Sequence, residues 1–266
     1  MAQEASTMTI YAMPGSQFSA KVLVALDSRQ IPHYVKFVDP QPSKRDLPSG
    51  GRMVPEMLHN GNAVPESDDI LRYVDKLYNT AFFPASQPKV AEVCTRASTV
   101  LAAYIFYYNW VQEDSYRRSM AASMERYVPA FVCCFRQTAV DWLLSSTRDE
   151  FKDKVGAALN LDPENLPEAP EMLEKLVQEL LFYQGLLEND SQPYIVPRTS
   201  QLTAADAALY TQIERLVGDE GDAKLPSALP SLRSEQRLTR LWRWHGEMRA
   251  KHPIRFKGKR APEATE

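Results

Sequence analysis

Cysteine is scarce in this chain: three in 266 residues, two of them the neighbours Cys133 and Cys134. An odd count, a vicinal pair that cannot easily bridge and no zinc-ligand spacing argue against a disulfide framework and a structural zinc site. A reducing compartment, the cytosol, is the default expectation. A dominant charge is missing too. The 31 Lys+Arg and 34 Asp+Glu leave a formal net charge of −3, giving no electrostatic reason to expect nucleic acid or an anionic membrane as partner. No apolar run reaches the roughly 18 residues of a membrane span. Residues 1–9 have neither a basic n-region nor an apolar h-region. The ten glycines form no GxGxxG or GxxxxGKS phosphate loop, and no HExxH is present. What remains, 44% hydrophobic and 24% charged, is the composition of a globular protein, long enough for one large domain or two small ones.

The first 80 or so residues alternate short pieces of two kinds. Residues 8–13 (MTIYAM) are β-prone and end at Pro14-Gly15. Phe18, Val22, Ala25 and Leu26 recur at helical spacing, and that helix should close before Ile31-Pro32. Residues 34–38 (YVKFV) read as a second strand, followed by a Pro-rich loop over 40–51. Residues 53–58 and 63–64 flank Asn60-Gly61, a hairpin signal because both turn positions need positive φ. Ile70, Leu71, Val74 and Leu77 then mark a helix from Ser67. The order β-α-β, hairpin, α implies a parallel strand pair joined to an antiparallel one.

Residues 81–88 (AFFPASQP) read as a linker, and beyond it there is no strand pattern. Val93, Ala97, Val100, Leu101, Tyr104, Tyr108 and Val111 follow helical spacing, as do Val132, Phe135, Ala139 and Leu143. So do Leu173, Leu176, Val177 and Leu180, and later Leu238, Leu241, Trp242 and His245. Thr203 and Asp206 form a capping-box signature ahead of Leu209, Ile213 and Leu216. The second part is therefore all helical, with residues 160–170 as an exposed loop inside it.

Three motifs sharpen this arrangement: GSQFSAKV from Gly15 to Val22, MVPEML from Met53 to Leu58, and PESDDILRY from Pro65 to Tyr73. In this order and spacing they resemble the cytosolic glutathione transferases, whose fold is a thioredoxin-like βαβ-ββα domain with a mixed sheet followed by an all-α bundle. Ser16, five residues before Lys21, is placed as in the serine-using classes (theta, phi, tau and zeta), without indicating which class. On that resemblance residues 1–84 are the glutathione-binding domain, 85–88 a linker, 89–252 the helical domain with a hydrophobic acceptor site, and 253–266 a flexible tail.

The resemblance implies roles that elementary chemistry supports. A free thiol titrates near 8.5, so little of it is thiolate at neutral pH. Ser16, between a strand and a helix, is the expected catalytic residue, its hydroxyl donating to a sulfur anion that also faces a positive helix N-terminus. Phe18 belongs to the same motif. Val54-Pro55 sits where the family has a cis-proline, which turns backbone groups toward the peptide of glutathione. Glu66 would pair with the γ-glutamyl ammonium, Ser67 and the first helical amides with its carboxylate, and Asp68 would assist at the ammonium. The family's usual cation before the Val-Pro pair is replaced by Met53, leaving Arg52 to reach the glycyl carboxylate. Each residue also has a plainer reading: Ser16 and Ser67 as ordinary helix caps, Pro55 as the end of an edge strand.

Tyr104, Phe106, Tyr107, Tyr108, Trp110 and Tyr116 cluster on one helical stretch; one or two of them line a pocket or a subunit contact, with Tyr104, Tyr107, Tyr108 and Tyr116 the acceptor-pocket candidates, while for any single one a core position is the better reading. Cys133 and Cys134 read as small hydrophobes, and His245 as a core residue rather than a base. The expectation is conjugation of the glutathione thiolate to a hydrophobic electrophile, with glutathione as co-substrate and no metal, in a homodimer. A glutathione-dependent isomerase or dehalogenase, or a non-catalytic scaffold on the same fold, are the alternatives.

Overall fold

The computed structural model describes residues 8–39, 44–112, 136–189, 191–218, 227–256 and 259–260, with the backbone alone along 136–147 and 259–260. Cys133, Cys134, Tyr116, Val132 and Phe135 lie outside the described residues, as do the side chains of Ala139 and Leu143.

The N-terminal part is built on a mixed sheet of strands β1 (Met8–Ala12), β2 (His33–Phe37), β3 (Glu56–His59), β4 (Asn62–Pro65) and the two-residue β5 (Lys259–Arg260), in the order β4-β3-β1-β2-β5. β1 is central, and Met8, Ile10, Tyr11 and Ala12 are all buried, as expected of a strand covered on both faces. It pairs parallel with β2 and antiparallel with β3, and β3 pairs antiparallel with β4. Asn60 (φ 54°) and Gly61 (φ 77°) close the β3–β4 hairpin with positive φ at both turn positions, as the sequence predicts.

Helix α1 (Gln17–Ser28) crosses from β1 to β2 and is apolar nearly all round because it lies between the sheet and the helical domain. Helix α2 (Ser67–Tyr78) is amphipathic, burying Ile70, Leu71 and Val74, and ends on Asn79 in the left-handed region. The segment read as a linker is tightly held. Asp75 Oδ1 accepts from Thr80 Oγ1 (2.5 Å) and Phe82 N (2.8 Å), Oδ2 accepts from Phe83 N (2.8 Å), and Phe82 is fully buried.

The helical part consists of α3 (Pro88–Arg96), α4 (Ala102–Phe106), α5 (Arg136–Leu159), α6 (Ala169–Gly185), α7 (Ala204–Val217) and α8 (Thr239–Lys251). Two π-helical turns, Ala97–Leu101 and Tyr107–Val111, flank α4, so residues 88–111 form one helical rod. α7 is the axis of the molecule. It packs against α1, α3 and α8 and is buried along almost its whole length. Its N-terminus carries the expected reciprocal capping box. The buried Asp206 carboxylate accepts from Thr203 N (2.8 Å) and Thr203 Oγ1 (2.6 Å), and from Ile195 N (2.6 Å) in the preceding segment.

Two segments carry structure that the sequence pattern does not show. The final segment is not simply a solvated tail: Ile254 and Phe256 are buried, and β5 pairs parallel with β2 (Tyr34 with Lys259, Val35 with Arg260). A strand of two residues has no periodicity to read, and it exists because β2 offers it an open edge. Residues 160–168 are the exposed loop expected, but they hold a 3₁₀ turn (Pro163–Asn165), and Pro167 O accepts a hydrogen bond from the core through Tyr107.

Candidate functional site

The strand register brings the three motifs together. Tyr11 pairs with Glu56, and Glu56 with Pro65, so the end of β1, the start of β3 and the end of β4 lie side by side. The residues just beyond these ends are Ser16, Val54-Pro55 and Glu66-Ser67. Sites separated by some fifty residues in sequence therefore lie at one end of one sheet.

Ser16 is the N-cap of α1, in extended backbone, and is almost fully buried. Its Oγ accepts from Ser19 N at 3.2 Å, so the hydroxyl proton is left to donate elsewhere. Ser19 is turned inward: its Oγ accepts from Met13 N at 3.3 Å, which fixes the turn between β1 and α1. Phe18 is half-buried on the same turn. The hydroxyl of Ser16 thus sits at the positive end of a twelve-residue helix, where a thiolate gains from the helix field as well as from the donor.

The Val54–Pro55 bond is cis, as the motif leads one to expect. β3 begins only at Glu56, so the backbone groups of Val54 lie beyond the ladder. Glu66 is exposed and adopts φ 65°, a conformation L-residues seldom take and one that concentrates at functional sites. It is the N-cap of α2, and the first intrahelical bond runs from Ile70 N to Glu66 O. The amides of Ser67, Asp68 and Asp69 precede that bond and form a site suited to a carboxylate.

Lys21, which the sequence reading used only as a spacing marker, proves central. It is 1% exposed, and its Nζ donates to Ser67 Oγ (3.3 Å) and Ser98 Oγ (3.1 Å) and forms a close ion pair with Asp68 Oδ1. Asp68 is therefore paired with Lys21 through Oδ1, with its side chain partly exposed. A lysine at an internal helical position has no sequence signal that separates a buried ion pair from a solvated charge.

A second arginine lies near the turn that holds Ser16. Arg52 is exposed, whereas Arg45 is half-buried, with Nε donating to Asp39 O (2.9 Å) and another donor to Arg52 O. Its remaining Nη2 reaches Met13 Sδ at 3.3 Å, beside the turn that holds Ser16. Desolvation lowers the pKa of this guanidinium, though it stays charged at any ordinary pH. The loop carrying Arg45 is clasped by the buried Glu56, whose carboxylate accepts from Ser49 N (2.7 Å) and Ser49 Oγ (2.6 Å).

Three of the four acceptor-pocket candidates lie among the described residues. Tyr104, Tyr107 and Tyr108 are all buried, Tyr107 Oη donates to Pro167 O (2.9 Å) and Tyr108 Oη to Ala169 O (3.3 Å). The Tyr107 and Tyr108 hydroxyls thus tie the 88–111 rod to the loop before α6 and the start of α6. Phe106 and Trp110 are half-buried and pack on Phe151 at ring distances of 5.0 and 4.9 Å. His245 is a core residue, as expected, its Nε2 lying 2.8 Å from Glu214 Oε2. Among the described residues no cluster of His, Cys, Asp and Glu could hold a metal ion, and no helix is long and apolar enough to cross a membrane.

Comparison with known proteins agrees with this geometry. Residues 10–82 match the family described as glutathione S-transferase, N-terminal domain. No curated protein sequence matches the chain. A glutathione S-transferase of Methylobacterium radiotolerans, solved with glutathione sulfonate, is 15% identical and superposes over 98% of this chain and 99% of its own with a TM-score of 0.55. Human glutathione transferase theta-2, solved with glutathione, is 16% identical over 92% of this chain and 82% of its own, TM-score 0.54. Glutaredoxin 2 of Salmonella typhimurium, also solved with glutathione, is 17% identical over 94% and 97%, TM-score 0.52. The thioredoxin-like N-terminal domain and helical C-terminal part are the architecture these structures share. Residues 10–82 thus match the glutathione S-transferase N-terminal domain family, and the chain as a whole shares the two-domain fold of these structures.

Proposed function

We propose that this protein binds glutathione and transfers its thiolate to a hydrophobic electrophile. The observation that carries the reading is Ser16: a buried hydroxyl at the N-cap of α1 whose oxygen accepts from Ser19 N and whose proton is free to meet a sulfur anion. Lowering a thiol pKa by about two units takes about 2.7 kcal/mol of preference for the thiolate. One charge-assisted hydrogen bond and a helix terminus together supply energies of that size.

In this reading the peptide backbone of glutathione pairs with Val54, its γ-glutamyl carboxylate meets Ser67 and the first amides of α2, and Glu66 faces its ammonium. Arg45 takes the glycyl carboxylate in place of Arg52. The thiolate attacks an electrophilic carbon, forming the C–S bond as the leaving group departs or the epoxide opens. The protein contributes proximity and the adjusted pKa. Domain limits at 84 and 89, a cytoplasmic location and a homodimer are parts of the same proposal, supported by the resemblance to the family.

Calorimetric titration with glutathione, then conjugation assays on aryl-halide and epoxide acceptors, test it. Binding below millimolar concentration is expected, and none at millimolar glutathione would sink the reading. Ser16→Ala is expected to keep glutathione bound while shifting thiolate absorbance about two pH units upward, with conjugation at pH 6.5 falling about 10- to 100-fold. An unmoved thiolate titration would transfer the role to another donor.

A further inference from the structure

A lysine with 1% of its surface exposed is costly unless each of its protons meets an acceptor. Lys21 has three acceptors for three protons, and they come from two sides. Ser67 and Asp68 open α2 in the glutathione-binding domain; Ser98 lies in the first π-helical turn of the helical part. Two consequences follow for the α2 N-terminus. An ammonium can only donate, so Ser67 Oγ is held as acceptor toward Lys21, and its own proton must point to another group. Asp68 is the second residue of α2, where an unpaired carboxylate would repel an incoming anion; its ion pair with Lys21 cancels that charge.

We propose that Lys21 is the positioning residue for the γ-glutamyl carboxylate, orienting the Ser67 hydroxyl as a donor and neutralising Asp68 beneath it. The proposal rests on the glutathione-binding reading above and adds a residue that does not itself touch the ligand. It also ties the subsite to the docking of the two domains, because Ser98 supplies the third anchor of the ammonium.

The test compares glutathione with 4-aminobutyryl-cysteinylglycine, the same tripeptide without the α-carboxylate, by calorimetry on the full chain. Lys21→Gln is expected to weaken glutathione about 10- to 50-fold and the analogue less than two-fold. Ser67→Ala should do much the same, and the double variant should bind glutathione no more than two-fold worse than the weaker single one, because Lys21 acts through Ser67. If Lys21→Gln weakens both ligands equally, or the two losses multiply, Lys21 is merely structural and this inference falls while the glutathione reading stands. If the unaltered protein binds neither ligand, both readings fall. Should Lys21→Gln not fold, Ser98→Ala keeps the charge and removes one anchor. It is expected to cost glutathione two- to three-fold and the analogue nothing; equal losses for both ligands would again overturn the inference.

Discussion

Burial decides which of the chain's reactive side chains are chemically available. Ser16 is buried but keeps a free proton at a helix terminus, whereas Ser19, three residues on, is fully buried and holds the turn. Tyr11 keeps its proton: burial, with Asp46 and Glu56 nearby, pushes its pKa up, and Lys36 sits over its ring at 5.1 Å. Cys94 shows the same logic for sulfur. It is fully buried, its Sγ lies 3.5 Å from Asp68 Oδ1, and burial raises its pKa to about 11. It is therefore a protonated, inert thiol at neutral pH. In a Cys133→Ser, Cys134→Ser background, a thiol-reactive dye should label Cys94 at least 100-fold more slowly than free cysteine, speeding up only in denaturant. Labelling at the free-thiol rate in buffer would contradict this placement.

The helices show where a regular pattern can be trusted. The capping box at α7 was legible because Thr203 and Asp206 stand three residues apart ahead of an apolar run, and the geometry is local. Asp206 has a further property that follows only from burial. Desolvation outweighs its hydrogen bonds and raises its pKa to about 6. With the folded value above the ordinary 3.8, the folded state holds the proton more tightly than the unfolded one. Stability from this group is therefore complete below about pH 4 and declines as pH rises to about 6, by about 3 kcal/mol in all. Urea unfolding between pH 4 and 7 should show this slope, and Asp206→Asn should abolish it; an identical slope in the variant would refute the assignment. The 88–111 rod is less regular. A π-helical turn adds a residue to the helix and rotates everything after it; Tyr104 and Tyr108, on the apolar stripe, are buried as their spacing predicts, and Tyr107, off that stripe, is buried as well.

At the scale of the whole molecule, the two parts are fastened at points far apart in sequence. Arg29 donates to Leu202 O (2.8 Å) and Thr80 O (3.2 Å), Ala204 N donates to Phe82 O (2.9 Å), and Lys21 reaches Ser98. The last described residues run from α8 back to the sheet, burying Ile254 and Phe256 and adding β5 to the edge of β2. Burying two large apolar side chains contributes about 3–5 kcal/mol, an upper estimate because the unfolded chain is itself partly collapsed. A chain ending at His252 should therefore unfold at clearly lower urea concentration than the full chain. Equal midpoints would show that this segment contributes nothing.

The sequence by itself determined the order of elements in the first 80 residues, the hairpin at Asn60-Gly61, the cap of α7 and the three motifs, because each rests on neighbours within a few residues. It also carried Ser16, Val54-Pro55 and Glu66-Ser67 as site candidates, since each sits at a chain end of a strand or helix. Only the tertiary structure decided which charge serves where. Lys21, Asp68 and Ser98 are brought together across 77 positions, Arg45 is half-buried beside Met13 while Arg52 is exposed, and Tyr104, Tyr107 and Tyr108 are buried. The reason is physical: spacing encodes local backbone geometry, but the cost of a charge or a hydroxyl depends on what surrounds it, and those surroundings are assembled from distant parts of the chain.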